Sequence, residues 1–295
     1  MGTKTRYNEK KVAAVHWAWY LEDSQTVLTP KYRMPPTVPG APAALVIAHP
    51  GHELRVHGWL ELTRPKVFIL TDGSGRSGRS RLASTTRILS QVGAEPGPIY
   101  GRLTDLMFYS AVLNHDPNVF INLAEELAEA FIQAEVQYVA GDATEGYNPA
   151  HDICRLLIDT AVEMANWRSR RRIANFDFLL AGPPHACPTD LRADAICLQL
   201  QDDAFERKLR TARNYPELVS EVDNTLCTTG IEAFRVECLR PANTRGSNRL
   251  HEPLFYESYG EKQVAAGYYK QVLRYREHVV PLTKALWHYV GQGAR

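Results

Sequence analysis

Residues 43–53 read Ala43-Ala44-Leu45-Val46-Ile47-Ala48-His49-Pro50-Gly51-His52-Glu53. The first six are small, apolar or β-branched, and a continuous run of that length predicts a buried strand. Its end carries three ionisable side chains. In open α/β sheets, ligands bind outside the carboxyl ends of the strands. Polar side chains without partners are costly at a buried strand end, so two imidazoles and a carboxylate delivered there point to part of a metal site. The bland alternative is a hydrogen-bonded structural His, which is what a single His near a strand end usually is. The helical zincin signature is excluded by spacing and order, because it needs His residues four apart with Glu directly after the first.

Outward from this stretch, apolar runs alternate with amphipathic ones. Strands are predicted at 43–48, 66–71, 135–141, 176–181, 194–200 and 233–239. Helices are predicted at 52–63, 79–92, 118–134, 150–167, 201–213 and 258–277. Such alternation implies βαβ units and a mostly parallel sheet covered on both faces, an α/β three-layer sandwich. Residues 1–42 are polar, then rich in proline (Pro30, Pro35, Pro36, Pro39, Pro42), with an apolar and aromatic stretch from Val12 to Tyr20. They are expected to form an arm packed on the body, and residues 43–295 a single α/β domain.

Composition narrows the function classes. The 295 residues are 44% hydrophobic and 23% charged, which is ordinary for a soluble globular protein. A formal net charge of +1 gives no global field to favour nucleic acid or a membrane surface. No apolar run approaches the roughly 18 residues of a membrane span. Met1-Gly2-Thr3-Lys4-Thr5-Arg6 is polar with no signal-peptide core behind it, and Arg6 breaks the myristoylation pattern. The five cysteines (Cys154, Cys187, Cys197, Cys227, Cys238) are scattered with no Cys-x-x-Cys pair. They read as reduced structural thiols of a cytoplasmic protein.

Three further stretches carry possible chemistry. Thr71-Asp72-Gly73-Ser74-Gly75-Arg76-Ser77-Gly78-Arg79 joins the second strand to a helix. Its glycines allow close backbone approach, and a helix N-terminus attracts anions. It lacks both the Walker ending and the dinucleotide spacing, and its alternative is a solvated loop. Gly141-Asp142-Ala143-Thr144-Glu145-Gly146-Tyr147-Asn148-Pro149-Ala150-His151-Asp152 again joins a strand to a helix. Asn148 suits the N-cap and Pro149 the first turn, which puts His151 near the strand ends. Asp152 there either supports a site or answers the helix dipole. The basic run Arg168-Ser169-Arg170-Arg171-Arg172 reads as solvated surface.

The order of these pieces resembles the PIG-L/LmbE-like family of zinc-dependent N-acetyl-sugar deacetylases. That family carries Ala-His-Pro-Asp-Asp-Glu, then Thr-Asp-Gly, then His-Pro-Asp-His. Here Ala48-His49-Pro50-x-x-Glu53 is followed by Thr71-Asp72-Gly73 and by Pro149-x-His151, with a weaker similarity at Phe255-Tyr256-Glu257-Ser258-Tyr259. The resemblance covers roughly residues 43–165. It implies a Rossmann-like sandwich with metal and substrate at the strand ends. Carried over by position, it implies His49, His52 and His151 as ligands, where the family has two His and one Asp. A three-His site with an open position is sound for catalytic Zn2+, and imidazole also suits other divalent transition metals.

The same resemblance implies losses. Gly51 stands where the family has its general base, Asn148 where it has a catalytic His, and Ala150 where it has the adjacent Asp. Glycine cannot accept a proton, and Asn can donate to an oxyanion but not transfer a proton. Glu53, Asp142, Glu145 and Asp152 are the carboxylates expected to substitute, Glu53 with a supporting role as an option. Tyr147 is expected either to bond a substrate carbonyl or to pack. Asp72, Arg76, Arg79 and Arg81 are expected at a phosphate, uronate or other anionic part of the substrate.

The leading expectation is therefore a metal-dependent hydrolase, deacetylase-like, acting on an N-acylated amino sugar, a glycoconjugate or a related small-molecule amide. The second is a catalytically altered or inactive relative that binds carbohydrate or a partner protein. A third is a different metal-assisted reaction such as ring opening or ester cleavage. The aromatics Tyr268, Tyr269, Tyr275, Trp287 and Tyr289 pack internally or form an oligomer interface.

Overall fold

The computed structural model describes residues 40–242 and 250–293. All but the last three residues of the N-terminal arm, Val12 to Tyr20 included, lie outside them. The architecture is a seven-stranded sheet in the order β3-β2-β1-β4-β5-β7-β6. The strands are β1 (Ala43–Ile47), β2 (Lys66–Thr71), β3 (Glu95–Leu103), β4 (Tyr138–Asp142), β5 (Ala174–Phe178), β6 (Ile196–Gln199) and β7 (Val236–Pro241). The first five pair in parallel. β7 pairs antiparallel with both β5 and β6.

Helices fill the connections: α1 (His57–Thr63), α2 (Leu82–Val92), α3 (Asp105–Leu113), α4 (Pro117–Gln133), α5 (Pro149–Ser169), α6 (Asp202–Arg213), α7 (Val219–Thr229), α8 (Phe255–Ala265) and α9 (Val280–Gly293). β1 shows why its run is apolar without alternation. Ala44, Val46 and Ala48 face one core with Phe120, Leu127, Ile153, Leu157 and Leu286 of α4, α5 and α9. Ala43, Leu45 and Ile47 face the other with Trp59, Leu60, Ile88 and Leu89 of α1 and α2. Both faces of a parallel strand are covered, so every position is apolar. This is the three-layer α/β sandwich expected from the alternation.

Strand order reverses between β1 and β4. β2 and β3 run out on one side of that pair, and β5 on the other. At such a switch point the connections leave to opposite faces and a crevice opens at the carboxyl ends. His49 and His52 leave β1 there, and Asp142 closes β4.

Several elements depart from expectation for identifiable reasons. β3 contains Pro96, Gly97, Pro98 and Gly101 and has no apolar run. Proline is tolerated because β3 is an edge strand. The helix expected over 52–63 begins as a 3-10 turn, His52–Val56, before α1. The helix expected over 258–277 stops at Ala265, ahead of Gly267 at φ 76°. A π-helical turn, Tyr275–Val279, then leads into α9. Strands 194–200 and 233–239 correspond to the antiparallel annex β6–β7. Among the described residues no helix is long and apolar enough to cross a membrane.

Candidate active site

Three imidazoles meet at the switch point. The ring centroids of His49 and His52 lie 5.3 Å apart, those of His49 and His151 5.4 Å, and those of His52 and His151 4.5 Å. His49 and His151 are buried, and the His52 side chain is 14% exposed. Each comes from a different local device. His49 ends the β1 run, and His52 opens the 3-10 turn. His151 sits in the first turn of α5, capped by Asn148, whose Oδ1 accepts the Ala150 N–H at 2.8 Å.

The Nδ1 edges are held from behind. Thr71 Oγ1 donates to the Ala48 carbonyl at 3.1 Å, so it accepts from His49 Nδ1 at 2.7 Å. His49 Nδ1 also lies 3.1 Å from Asp105 Oδ1. His52 Nδ1 lies 2.9 Å and 3.0 Å from the two Asp142 oxygens, and Asp142 Oδ2 also accepts the Ala48 N–H at 2.8 Å. Both rings thus carry their proton on Nδ1, leaving the Nε2 lone pair free, which is the arrangement of a buttressed metal ligand. His151 Nδ1 is buried with no hydrogen-bond partner.

Electrostatics favour neutral rings at His52 and His151. Burial, then repulsion from His49, holds the His52 pKa well below its ordinary value. Burial, then repulsion from His52, does the same at His151. Burial pushes Asp142 up to about 6, against attraction from His151 and the Ala48 N–H. At Asp105 burial opposes ionisation, yet the adjacent His49 ring and the Gly75 N–H overcome it and hold the carboxyl well below its usual range.

Donor type and ring spacing suit a transition metal. A tetrahedral ion bound at about 2.0–2.1 Å by ring nitrogens would space the centroids by about 5 Å, the middle of the observed range. As the side chains stand, no group of three or more His, Cys, Asp or Glu among the described residues converges on a point that could hold a metal ion. The fit therefore lies in chemistry, spacing and the unpartnered nitrogen, and binding requires the rings to turn.

The anticipated carboxylates separate by environment. Glu53 is fully buried and spent on scaffolding: Oε2 accepts the Gly51 N–H at 2.7 Å and Oε1 the Thr85 hydroxyl at 2.7 Å. Glu145 accepts the N–H groups of Leu180 (2.7 Å), Ala181 (2.9 Å) and Gly182 (2.8 Å). It clamps the segment after β5 rather than facing the imidazoles. Asp152 Oδ1 accepts the Glu145 and Gly146 N–H groups at 3.0 Å and 3.2 Å, while Oδ2 is buried without a partner. Burial, against those bonds, pushes its pKa up to about 7.

Gly51, at φ 108°, has no room for a side chain. A Cβ there would stand 2.3 Å from Leu218 Cδ1. Asn148 Oδ1 also accepts from the Tyr109 hydroxyl at 3.1 Å, which leaves the amide NH2 as the donor end. Asp72 turns inward on its own loop, accepting from Ser74 N and Oγ at 3.0 Å and 2.6 Å. Arg81 Nε donates to the Gly73 carbonyl at 2.5 Å. Gly73 fits between Pro50 and that guanidinium, with a Cβ position 2.8 Å from Pro50 Cδ. Arg81 therefore stands beside the first motif. Arg76 and Arg79 are exposed, Arg76 bonding Gln263 at 3.2 Å and lying over the Tyr268 ring. Tyr147 is 43% exposed and stacks on Phe255 at 4.8 Å.

Asp105, Tyr109 and Leu218 were not anticipated. Thr104-Asp105 before Leu106-Met107-Phe108 is an N-cap signal that was legible: Thr104 Oγ1 accepts the Met107 N–H at 3.1 Å. Leu218, far along the chain, gives no such signal.

No protein-family model matches the chain, and no curated protein matches it. Solved structures that share a partial likeness include a triple mutant of the deacetylase Orf2 from the teicoplanin biosynthetic pathway, at 10% identity and TM-score 0.45. Another is the zinc-inhibited form of teicoplanin deacetylase Orf2, at 11% identity and TM-score 0.46. Each alignment covers 68% of this chain and 97% of the other.

Proposed function

We propose that this chain is a metal-dependent hydrolase of the deacetylase type, related to the PIG-L/LmbE-like family, acting on an N-acylated amino sugar or a related small-molecule amide. The observation that carries the reading is the His49–His52–His151 cluster at the switch point, with two rings held in the Nε2-free tautomer. These three residues would hold the ion, with Zn2+ the first choice by ligand chemistry. Bound there, it would supply Lewis-acid polarisation of an acyl carbonyl and a more acidic water.

The protein's own groups divide the remaining work. Asp142 and Thr71 keep the two rings oriented. We assign the Asn148 NH2, the free donor end of that amide, to a developing oxyanion. Of the four anticipated carboxylates, Asp152 alone keeps an oxygen without a partner, and with a pKa near 7 we assign it the proton. Arg81, beside Pro50, is the assigned contact for an anionic part of the substrate.

A second reading is favoured by Gly51. Leu218 fills the space where a base would stand, and removing a general base costs roughly 10²–10⁴-fold. On this reading the chain binds a carbohydrate or protein without efficient turnover. Elemental analysis of untagged protein, with the His52→Ala variant beside it, tests the metal, and an N-acetyl-sugar hydrolysis assay separates the two readings. About one zinc per chain in the parent, little in the variant, and acetate release support the hydrolase. Metal without acetate release supports the binding reading. No metal after reconstitution overturns the hydrolase and leaves the binding reading.

A further inference from the structure

Away from the imidazoles, three of the five cysteines gather on the β6–β7 annex. Cys197 and Cys238 are directly opposite partners in the antiparallel register. Their Sγ atoms lie 3.0 Å apart. Cys187, in the segment between β5 and β6, packs in the same buried cluster with Cys238, Ala195 and Cys197.

Opposed residues of an antiparallel pair have Cα separations inside the range a disulfide spans. A shared metal fits less well: two thiolates on one tetrahedral zinc, at about 2.3 Å each, would hold their sulfurs about 3.8 Å apart. The observed approach is closer than that and matches two thiols in direct contact.

Accessibility ranks the three. Cys197 is partly exposed, while Cys238 and Cys187 are buried. Arg192 stands at the cluster, its Nε donating to the Cys187 carbonyl at 3.1 Å. The hydrogen bond with Cys238, against burial and aided by Arg192, lowers the Cys197 thiol to about 7. A thiolate that is low in pKa and reachable is where an oxidant attacks first.

We propose that Cys197, Cys238 and Cys187 form a thiol–disulfide site, oxidised by hydroperoxides at Cys197 and resolved by Cys238. The Cys197 thiolate attacks the terminal oxygen of a hydroperoxide, forming a sulfenic acid and releasing the alcohol, or water from hydrogen peroxide. The Cys238 thiol then attacks that sulfur. The S–S bond forms and the sulfenic oxygen leaves as water, so two thiols lose two electrons and the peroxide gains them. Cys187 can exchange: its thiolate attacks Cys238 Sγ, the Cys187–Cys238 bond forms, and Cys197 leaves as thiolate. Every intramolecular disulfide of the site therefore contains Cys238.

The segment bearing Cys187 gives the site its reach. That segment begins at Leu180–Gly182, whose N–H groups Glu145 holds and whose Leu180 and Gly182 carbonyls accept from Arg55. Arg55 lies three residues after His52, and Glu145 three before Asn148. Exchange to Cys187–Cys238 ties the far end of the same segment to β7.

The test uses the full chain. Reduced protein is treated with one to two equivalents of hydrogen peroxide, alkylated, digested and mapped by mass spectrometry, with free thiols counted in denaturant. The expected result is a fall from five thiols to three and a Cys197–Cys238 peptide, with Cys187–Cys238 as the minor product. Cys197→Ser should slow thiol loss at least tenfold. The parent map needs no variant, so a misfolded variant leaves the test intact. Retention of five thiols, bridging between molecules through the exposed Cys227, or a linkage lacking Cys238 would overturn the proposal.

Discussion

Replacing Gly51 by Ala probes the space that defines this site. At φ 108° an L-residue carries left-handed strain of about 1–2 kcal/mol. The new Cβ also meets Leu218 Cδ1 at 2.3 Å. Overpacking costs about 1–3 kcal/mol, and the low end applies because a half-buried leucine tip can move. Gly51→Ala should therefore destabilise by about 2–4 kcal/mol in total. Leu218→Ala alone should cost about 1–2 kcal/mol, as a partly buried side chain. In the double variant the clash is gone and only the strain remains, so the two changes should couple by about 1–2 kcal/mol in the stabilising sense. Urea unfolding followed by far-UV circular dichroism reads all four corners of the cycle, provided the m-value is constant. A Gly51→Ala cost under about 0.5 kcal/mol, or strictly additive costs, would show that Leu218 does not close the position.

Two further outcomes are expected. Asp142→Asn leaves one oxygen to serve both the Ala48 N–H and His52 Nδ1, so zinc affinity measured by competition with a chromophoric chelator should fall roughly 10–100-fold; unchanged affinity would remove His52 from the ligand set. The second concerns pH. Asp142 and Asp152 have pKa values raised from 3.8 to about 6 and about 7. At these two carboxyls the folded state binds protons between about pH 4 and pH 7 that the unfolded state has released, so their share of stability falls as pH rises, while the depressed His52 and His151 push the other way. In chelator-treated protein the urea midpoint of the parent relative to Asp152→Asn should therefore fall from pH 4 to pH 7; a relative midpoint that rises across the window contradicts the assignment.

The sandwich was legible because burial on both faces leaves a local trace. β1, β2 and β4 each show as an apolar run, and α5 announces itself through Asn148 and Pro149. β3 was not legible, because an edge strand tolerates Pro96 and Pro98 and needs no apolar run. The imidazole cluster was legible from three strand-end motifs. Its backing was legible only in part: Asp142 lies inside a motif, whereas Asp105 belongs to a helix missed along with β3. Glu145 shows the limit of local reading. Position alone put it in the loop facing the site, but the N–H groups of Leu180, Ala181 and Gly182 compete for its oxygens, and they come from another strand's end.

On the proposed metal reading, the imidazole at position 52 has a compensation that no single motif displays. The resembling family places an aspartate at this position, so its charge would touch the ion directly. Here an imidazole stands there, and a carboxylate reappears one ring further back, as Asp142 on His52 Nδ1. Asp105 stands in the same relation to His49. Two acids behind two rings would return negative charge to such a site while its donors are imidazoles. A neutral inner set leaves a bound dication more acidifying, and the backing acids raise ring basicity and fix the tautomer. Asp142 near 6 is the soft point of this arrangement. Protonating it leaves one oxygen to serve both the Ala48 N–H and the His52 Nδ1 proton, so on the proposed reading the hold on the His52 tautomer weakens as Asp142 takes up its proton.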